Sequence, residues 1–179
     1  MKQLDTIKVL KELDEAGRYV FNKMELRNLV FANESKSSFE RSLERLVTSG
    51  LLERATRGVY VNPNAKSYDS YVIERIAKAL RPGEYSYVSL ESALSEYGVI
   101  SQIPVDRLTV VTTGRKGLMR TPHGVIEFTH TEKPPSKIIG QIKRMPNRPL
   151  RIASKALAWR ELKRVGRNTT MVNQEMLNG

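Results

Sequence analysis

The side chains whose type and spacing could do chemistry are cationic ones on a helix. Lys36, Ser37, Ser38, Arg41, Ser42 and Arg45 are interleaved with Phe39, Leu43, Leu46 and Val47, which fall at i, i+4, i+7 and i+8 and form one apolar stripe. At about 100° per residue, Arg41 lies opposite that stripe, with Ser38, Arg45 and Thr48 beside it. An arginine can donate two hydrogen bonds to guanine O6 and N7, while hydroxyls and the free N–H groups of a helix start suit phosphate oxygens. Arg54 and Arg57 follow on a short basic turn that could lie over an adjacent groove or backbone. Recognition of double-stranded DNA is the chemistry this pattern offers. The competing reading is a solvated surface helix whose arginines pair with Glu40 and Glu44 at helical spacing.

A second cationic set lies near the end of the chain. On a helix over 154–165, Leu157, Ala158, Leu162 and Val165 share one side and Arg160, Lys163, Arg164 and Arg167 the other, with Glu161 intruding on the apolar side. Such a face suits phosphates without reading bases, because neutralising them releases counterions. Docking to an acidic protein is the alternative. The 179 residues carry 30 Lys and Arg against 19 Asp and Glu, a net charge of +11 and a pI near 10.0. Residues 67–135 are balanced, whereas 136–179 hold Glu161 and Glu175 as their only acids. Most of the excess therefore sits in the last quarter, and it points to a polyanionic partner.

Catalytic patterns are missing. The absence of cysteine excludes disulfides, thiolate zinc sites and a cysteine nucleophile. On a strand, His123 would share a face with Val125 and Glu127, and His130 with Ile126 and Phe128; a His123–Glu127 pair lacks a third metal ligand. Ser89, Ser92 and Ser95 do not lie in a G-x-S-x-G elbow, and Gly114-Arg115-Lys116-Gly117 lacks the spacing of a P-loop. Trp159 reads as packing. No enzyme activity, metal or cofactor is expected. Met1-Lys2-Gln3-Leu4-Asp5 is not an apolar signal, and no stretch approaches the roughly 18 uncharged residues of a membrane span. A cytoplasmic protein without membrane contact is expected.

Residues 4–13 read as a helix with Ile7, Leu10 and Leu13 inward, ended by Gly17. Tyr19-Val20-Phe21 is extended, and Asn22 caps a second helix with Met24, Leu26, Leu29 and Val30 as its apolar positions. The third helix opens on a capping box, Ser37-x-x-Glu40, and stops at Gly50. Residues 51–61 then form a hairpin around Ala55-Thr56-Arg57-Gly58. Three helices and a hairpin make residues 1–66 a winged helix-turn-helix.

Residues 67–179 read as a small mixed domain, so the fold class is α+β. A helix over 67–80 carries Tyr68, Val72, Ile76 and Ala79 on one face and ends at Arg81-Pro82-Gly83. A strand over 85–88 leads to a helix over 90–97 capped by Ser89. Strands over 108–112 and 125–129 flank a glycine-rich connection. Pro134, Pro135, Pro146 and Pro149 punctuate a basic stretch before the last helix, and 168–179 reads as a frayed tail.

Within this order stand Gly50-Leu51-Leu52-Glu53-Arg54 with Arg57-Gly58-Val59-Tyr60, and Tyr87-Val88-Ser89-Leu90-Glu91-Ser92-Ala93-Leu94 with Tyr97-Gly98-Val99-Ile100. Thr109-Val110-Val111-Thr112 and Thr121-Pro122-His123-Gly124-Val125-Ile126-Glu127-Phe128 complete the set. Across about residues 5 to 165 the chain thereby resembles the AbiEi antitoxin family of type IV toxin–antitoxin (abortive infection) systems. The resemblance implies a repressor that binds inverted repeats in its own promoter through the winged helix. It also implies a C-terminal domain, trimmed here after Val165, that counteracts a nucleotidyltransferase toxin; a stable complex between the two is not implied. A stand-alone winged-helix regulator, or a module that binds RNA or docks a partner, is the alternative.

Overall fold

In the computed structural model, which describes residues 3–101 and 106–179, the first apolar stripe becomes α1 (Gln3–Glu15). The helix turns Thr6 and Leu10 inward, with Leu13 half-buried on the same face, so Ile7 is not a core residue but 41 % exposed. After β1 (Val20–Asn22), Asn22 caps α2 (Lys23–Leu29) with a reciprocal pair of bonds. Its side chain accepts from the Glu25 N–H at 2.8 Å, and the Glu25 carboxylate accepts from the Asn22 N–H at 2.8 Å. Met24 and Leu29, read as apolar positions of this helix, are exposed; Leu26, Val30 and Phe31 are buried.

α3 (Lys36–Thr48) buries Phe39, Leu43 and Leu46, and β2 (Glu53–Thr56) and β3 (Val59–Val61) form the expected hairpin. β3 is the centre of a three-stranded antiparallel sheet, because β1 pairs along its other edge. Leu10, Phe21, Leu26, Phe39, Leu43 and Leu52 belong to one apolar cluster. By contacts the chain divides into two units, Met1–Val72 and Ile73–Gly179.

The helix expected from residue 67 begins only at Val72, as α4 (Val72–Leu80). Side chains hold the preceding amides in turns instead. The Asp14 carboxylate accepts from the Lys66 N–H, the Ser67 N–H and the Ser67 hydroxyl at 2.8, 2.8 and 2.6 Å, and Asp69 accepts from the Tyr71 N–H at 3.0 Å. On α4 the buried residues are Val72, Glu74, Ile76 and Ala77 rather than Ala79, and Tyr68 is 40 % exposed.

β4 (Ser86–Val88), α5 (Leu90–Glu96), β5 (Arg107–Thr112), β6 (Gly117–Thr121) and β7 (Gly124–His130) follow. The glycine-rich connection is thus largely a strand, β6, that hairpins onto β7. Next come α6 (Pro135–Ile138), β8 (Ile142–Lys143), β9 (Arg151–Ala153), α7 (Lys155–Val165) and α8 (Gln174–Asn178). The six strands form one mixed sheet in the order β6-β7-β5-β4-β9-β8, parallel at β4–β9 and β5–β7. α5 packs against β5 and α7.

Ser89 stands at the start of α5 without capping it, since its hydroxyl donates to Glu161 at 2.8 Å. The Tyr87 hydroxyl donates to the other Glu161 oxygen at 2.8 Å. Burial, reinforced by that carboxylate, pushes the Tyr87 phenol up from its ordinary pKa. Glu161 is therefore tolerated on the apolar side of α7 because two buried hydroxyls meet it. Residues 168–179 are not frayed. Val172 bridges Ile100 in antiparallel fashion, Asn173 caps α8, and the Lys155 ammonium donates to the Met176 and Gly179 carbonyl oxygens.

Candidate nucleic-acid interface

α3 is capped two residues before Ser37. Ser35 is the last extended residue, at φ −65° and ψ 160°, and its hydroxyl accepts from the Ser38 N–H at 3.2 Å. Ser35 is the cap, so Lys36 and Ser37 lie in the first turn, where free N–H groups and the helix dipole favour an anion. Lys36, Ser37, Arg41 and Arg45 are exposed. The Ser38 and Ser42 hydroxyls, one turn apart, both donate to the Glu34 carboxylate, at 3.1 and 3.0 Å.

Glu40 pairs with Lys23 at 2.5 Å, not with either arginine of its own helix. Among the described residues no ion pair engages Lys36, Arg41, Arg45, Arg54 or Arg57. Arg41, Glu44, Arg45, Thr48 and Ser49 border a shallow depression of about 370 Å³ on the outer side of the helix. On β2 the alternation leaves Arg54 exposed while Ala55 is buried. Arg57 is exposed at the turn, which is tied down by the Lys23 N–H donating to the Gly58 carbonyl oxygen at 2.9 Å.

The C-terminal cationic set is smaller than the helical wheel predicts. Arg160, Lys163 and Arg164 are exposed on α7. Arg160 donates to Gln141, Arg164 to the His130 carbonyl oxygen at 3.4 Å, and the Lys163 ammonium lies 5.2 Å from the centre of the Trp159 ring. Arg167 leaves this face, because α7 ends at Val165 and Gly166 turns the chain through a left-handed conformation at φ 76°. Its guanidinium bridges Glu91, at 2.6 Å, and Glu127. Burial opposes the charge on Glu91, yet the hydrogen bonds from Arg167, its own N–H and Asn168 hold its pKa below the ordinary value.

The charged groups that sequence reasoning missed are those paired across long separations. Arg148 reaches Glu74 at 2.8 Å and Glu96 at 2.6 Å, and so pins the proline-punctuated loop. No local pattern announces such a partner. His123 sits in the turn before β7, its N–H donating to the Thr121 hydroxyl, and His130 ends β7. Among the described residues no group of three His, Asp or Glu side chains is placed to hold a metal, and no helix is long and apolar enough to cross a membrane. No protein-family model, curated protein or solved structure matches this chain.

Proposed function

We propose that this chain is a cytoplasmic DNA-binding regulator whose first unit is a winged helix-turn-helix, with α3 as recognition helix and the β2–β3 hairpin as wing. It acts as the antitoxin and autorepressor of a type IV toxin–antitoxin operon, counteracting a nucleotidyltransferase toxin, and no catalytic step is assigned to it. One observation carries the DNA-binding reading: among the described residues, the outward face of α3 presents Lys36, Arg41 and Arg45 without ion pairs, and the hairpin adds Arg54 and Arg57 in the same state. Uncompensated cations on one helix repel each other, and a phosphate backbone relieves that repulsion while base edges accept the guanidinium donors. The antitoxin reading is supported by the resemblance alone. Inverted repeats of the chain's own promoter are the expected target.

Binding of the full chain to its own promoter fragment, measured by fluorescence anisotropy with excess tRNA as competitor, tests the first half. Persistent binding is expected; displacement by tRNA would transfer the reading to an RNA-binding module. Co-expression tests the second half, since the full chain should relieve growth arrest by a nucleotidyltransferase encoded beside it. A chain that represses and never rescues is a transcriptional regulator only.

A further inference from the structure

The loop joining β5 to β6, residues 113–116, is fastened at almost every polar group. The Thr113 N–H donates to the Tyr85 carbonyl oxygen at 2.9 Å and the Thr113 hydroxyl to Glu84 at 2.5 Å. The Gly114 N–H donates to the Thr112 hydroxyl at 3.0 Å, and the Arg115 carbonyl oxygen accepts from Arg81 Nε at 2.9 Å. The Gly114 carbonyl oxygen meets His130 Nδ1 at 2.7 Å, so that nitrogen carries the ring proton. A Cβ at position 114 would lie 3.0 Å from the side chains of both Arg81 and Glu84. The loop is thus seated closely on the chain that follows α4. Two side chains at its apex are left over: Arg115 and Lys116 are exposed and, among the described residues, form no ion pair.

These cations stand at the lip of a groove of about 940 Å³ that extends past the end of β7 to Val165 and Arg167. β6 pairs with β7 only as far as Gly117 opposite Phe128, so Thr129 and His130 run beyond their neighbour and leave that stretch of strand edge open to the groove. Of its two carboxylates, Glu127 is paired with Arg107 and Arg167, while Glu84 accepts from the neutral Thr113 hydroxyl and keeps its charge. What remains is a trough with an apolar wall at Val165 and an excess of positive charge at one end, where Arg115 and Lys116 outnumber Glu84. Arg81, stacked 4.0 Å over the Phe128 ring, adds to that charge. Burial first, and then the neighbouring Arg115, lower the Arg81 pKa from its ordinary value, as expected where like charges crowd.

We propose that this groove binds a small organic anion, a phosphate monoester on an aromatic or heteroaromatic body, with its phosphate on Arg115 and Lys116 and its ring against Val165 and the β7 edge. A monoester carries roughly two negative charges near neutral pH, which matches two cations on a pinned loop. Pinning fixes the loop backbone in advance, so binding has to order only the two side chains. The volume lies within the about 300–1,000 Å³ typical of small-molecule sites, which pair apolar walls with a few convergent polar groups. The site lies wholly within the second unit and stands whether or not α3 reads DNA.

Phenyl phosphate titrated into the full chain, followed by calorimetry and by amide NMR shifts, tests the proposal. Saturable binding at a single site is expected, with the largest shifts at Gly114, Thr129 and His130. Inorganic phosphate and phenol, each lacking half of the ligand, should bind at least about tenfold more weakly. Arg115→Gln with Lys116→Gln, at exposed positions that leave the thermal unfolding unchanged, should weaken phenyl phosphate by about tenfold or more. Val165→Trp keeps both cations, narrows the trough at its apolar wall and should weaken it similarly. No saturation at millimolar phenyl phosphate would overturn the proposal. So would wild-type affinity in the double variant, or shifts centred on Arg160 and Lys163.

Discussion

Ser35 sets where α3 begins, because its hydroxyl accepts from the Ser38 N–H, one of the first-turn donors that have no backbone acceptor within the helix. Replacing Ser35 with Ala should lower stability by about 1 kcal/mol, whereas Ser37→Ala, inside the first turn and exposed, should stay within about 0.5 kcal/mol. Urea titration of the two variants checks this; equal costs would return the cap to Ser37. The misplaced cap shows why single residues are harder to read than patterns. Serines stand at 35, 37 and 38, and any of them could accept the bond; only backbone geometry chooses. The same holds for Ser38 and Ser42, which the helical wheel leaves free for phosphate. Their spacing of one turn also lets both hydroxyls converge on Glu34, a partner just outside the helix. Arg41 and Arg45 were legible because their exposure follows from the apolar stripe alone.

Element boundaries follow the strength of local signals. The Phe39, Leu43 and Leu46 stripe and the Asn22 cap were readable, since each is complete within a few residues. β8, two residues long, is too short to show a period of two, and although residues 19–21 read as extended, the pairing of β1, like that of β8, is settled by residues far away in sequence. α4 starts late for a similar reason: Asp14, on α1, captures the amides of Lys66 and Ser67. The Ser67 hydroxyl hydrogen bond is the main cause that holds the Asp14 pKa below its ordinary value, against some burial and with help from the two N–H donors. A carboxyl lowered in the folded state stabilises above its unfolded pKa, and that contribution is lost as pH falls through the folded value. Asp14→Asn should therefore cost about 1 kcal/mol at neutral pH, the screened value for a half-buried group. The difference from wild type should vanish in strong acid. Chemical denaturation across a pH series measures it; a difference that grows on acidification would contradict the role given to Asp14.

At the scale of the molecule, the cations behind the net charge of +11 include those on α3 and its hairpin in the first unit, and those on α7 and at Arg115 and Lys116 in the second. The α+β class and the main helices were legible from periodicity. The mixed sheet order was not, because it joins β4 to β9 across more than sixty residues of intervening chain. The words that carry the family resemblance fall largely on the interior of the second unit, including Tyr87, Leu90, Ala93, Val110 and Phe128. They bear on how that unit folds, and they do not include α3. The claim of sequence-specific DNA binding rests on the α3 face, and Arg41 is its most direct test. Arg41 is exposed and opposite the core, so Arg41→Ala should fold as wild type. Titration of this variant against the cognate promoter fragment and a random duplex should show a loss of about 1–3 kcal/mol on the first and little change on the second. Wild-type affinity for the cognate fragment would contradict the account.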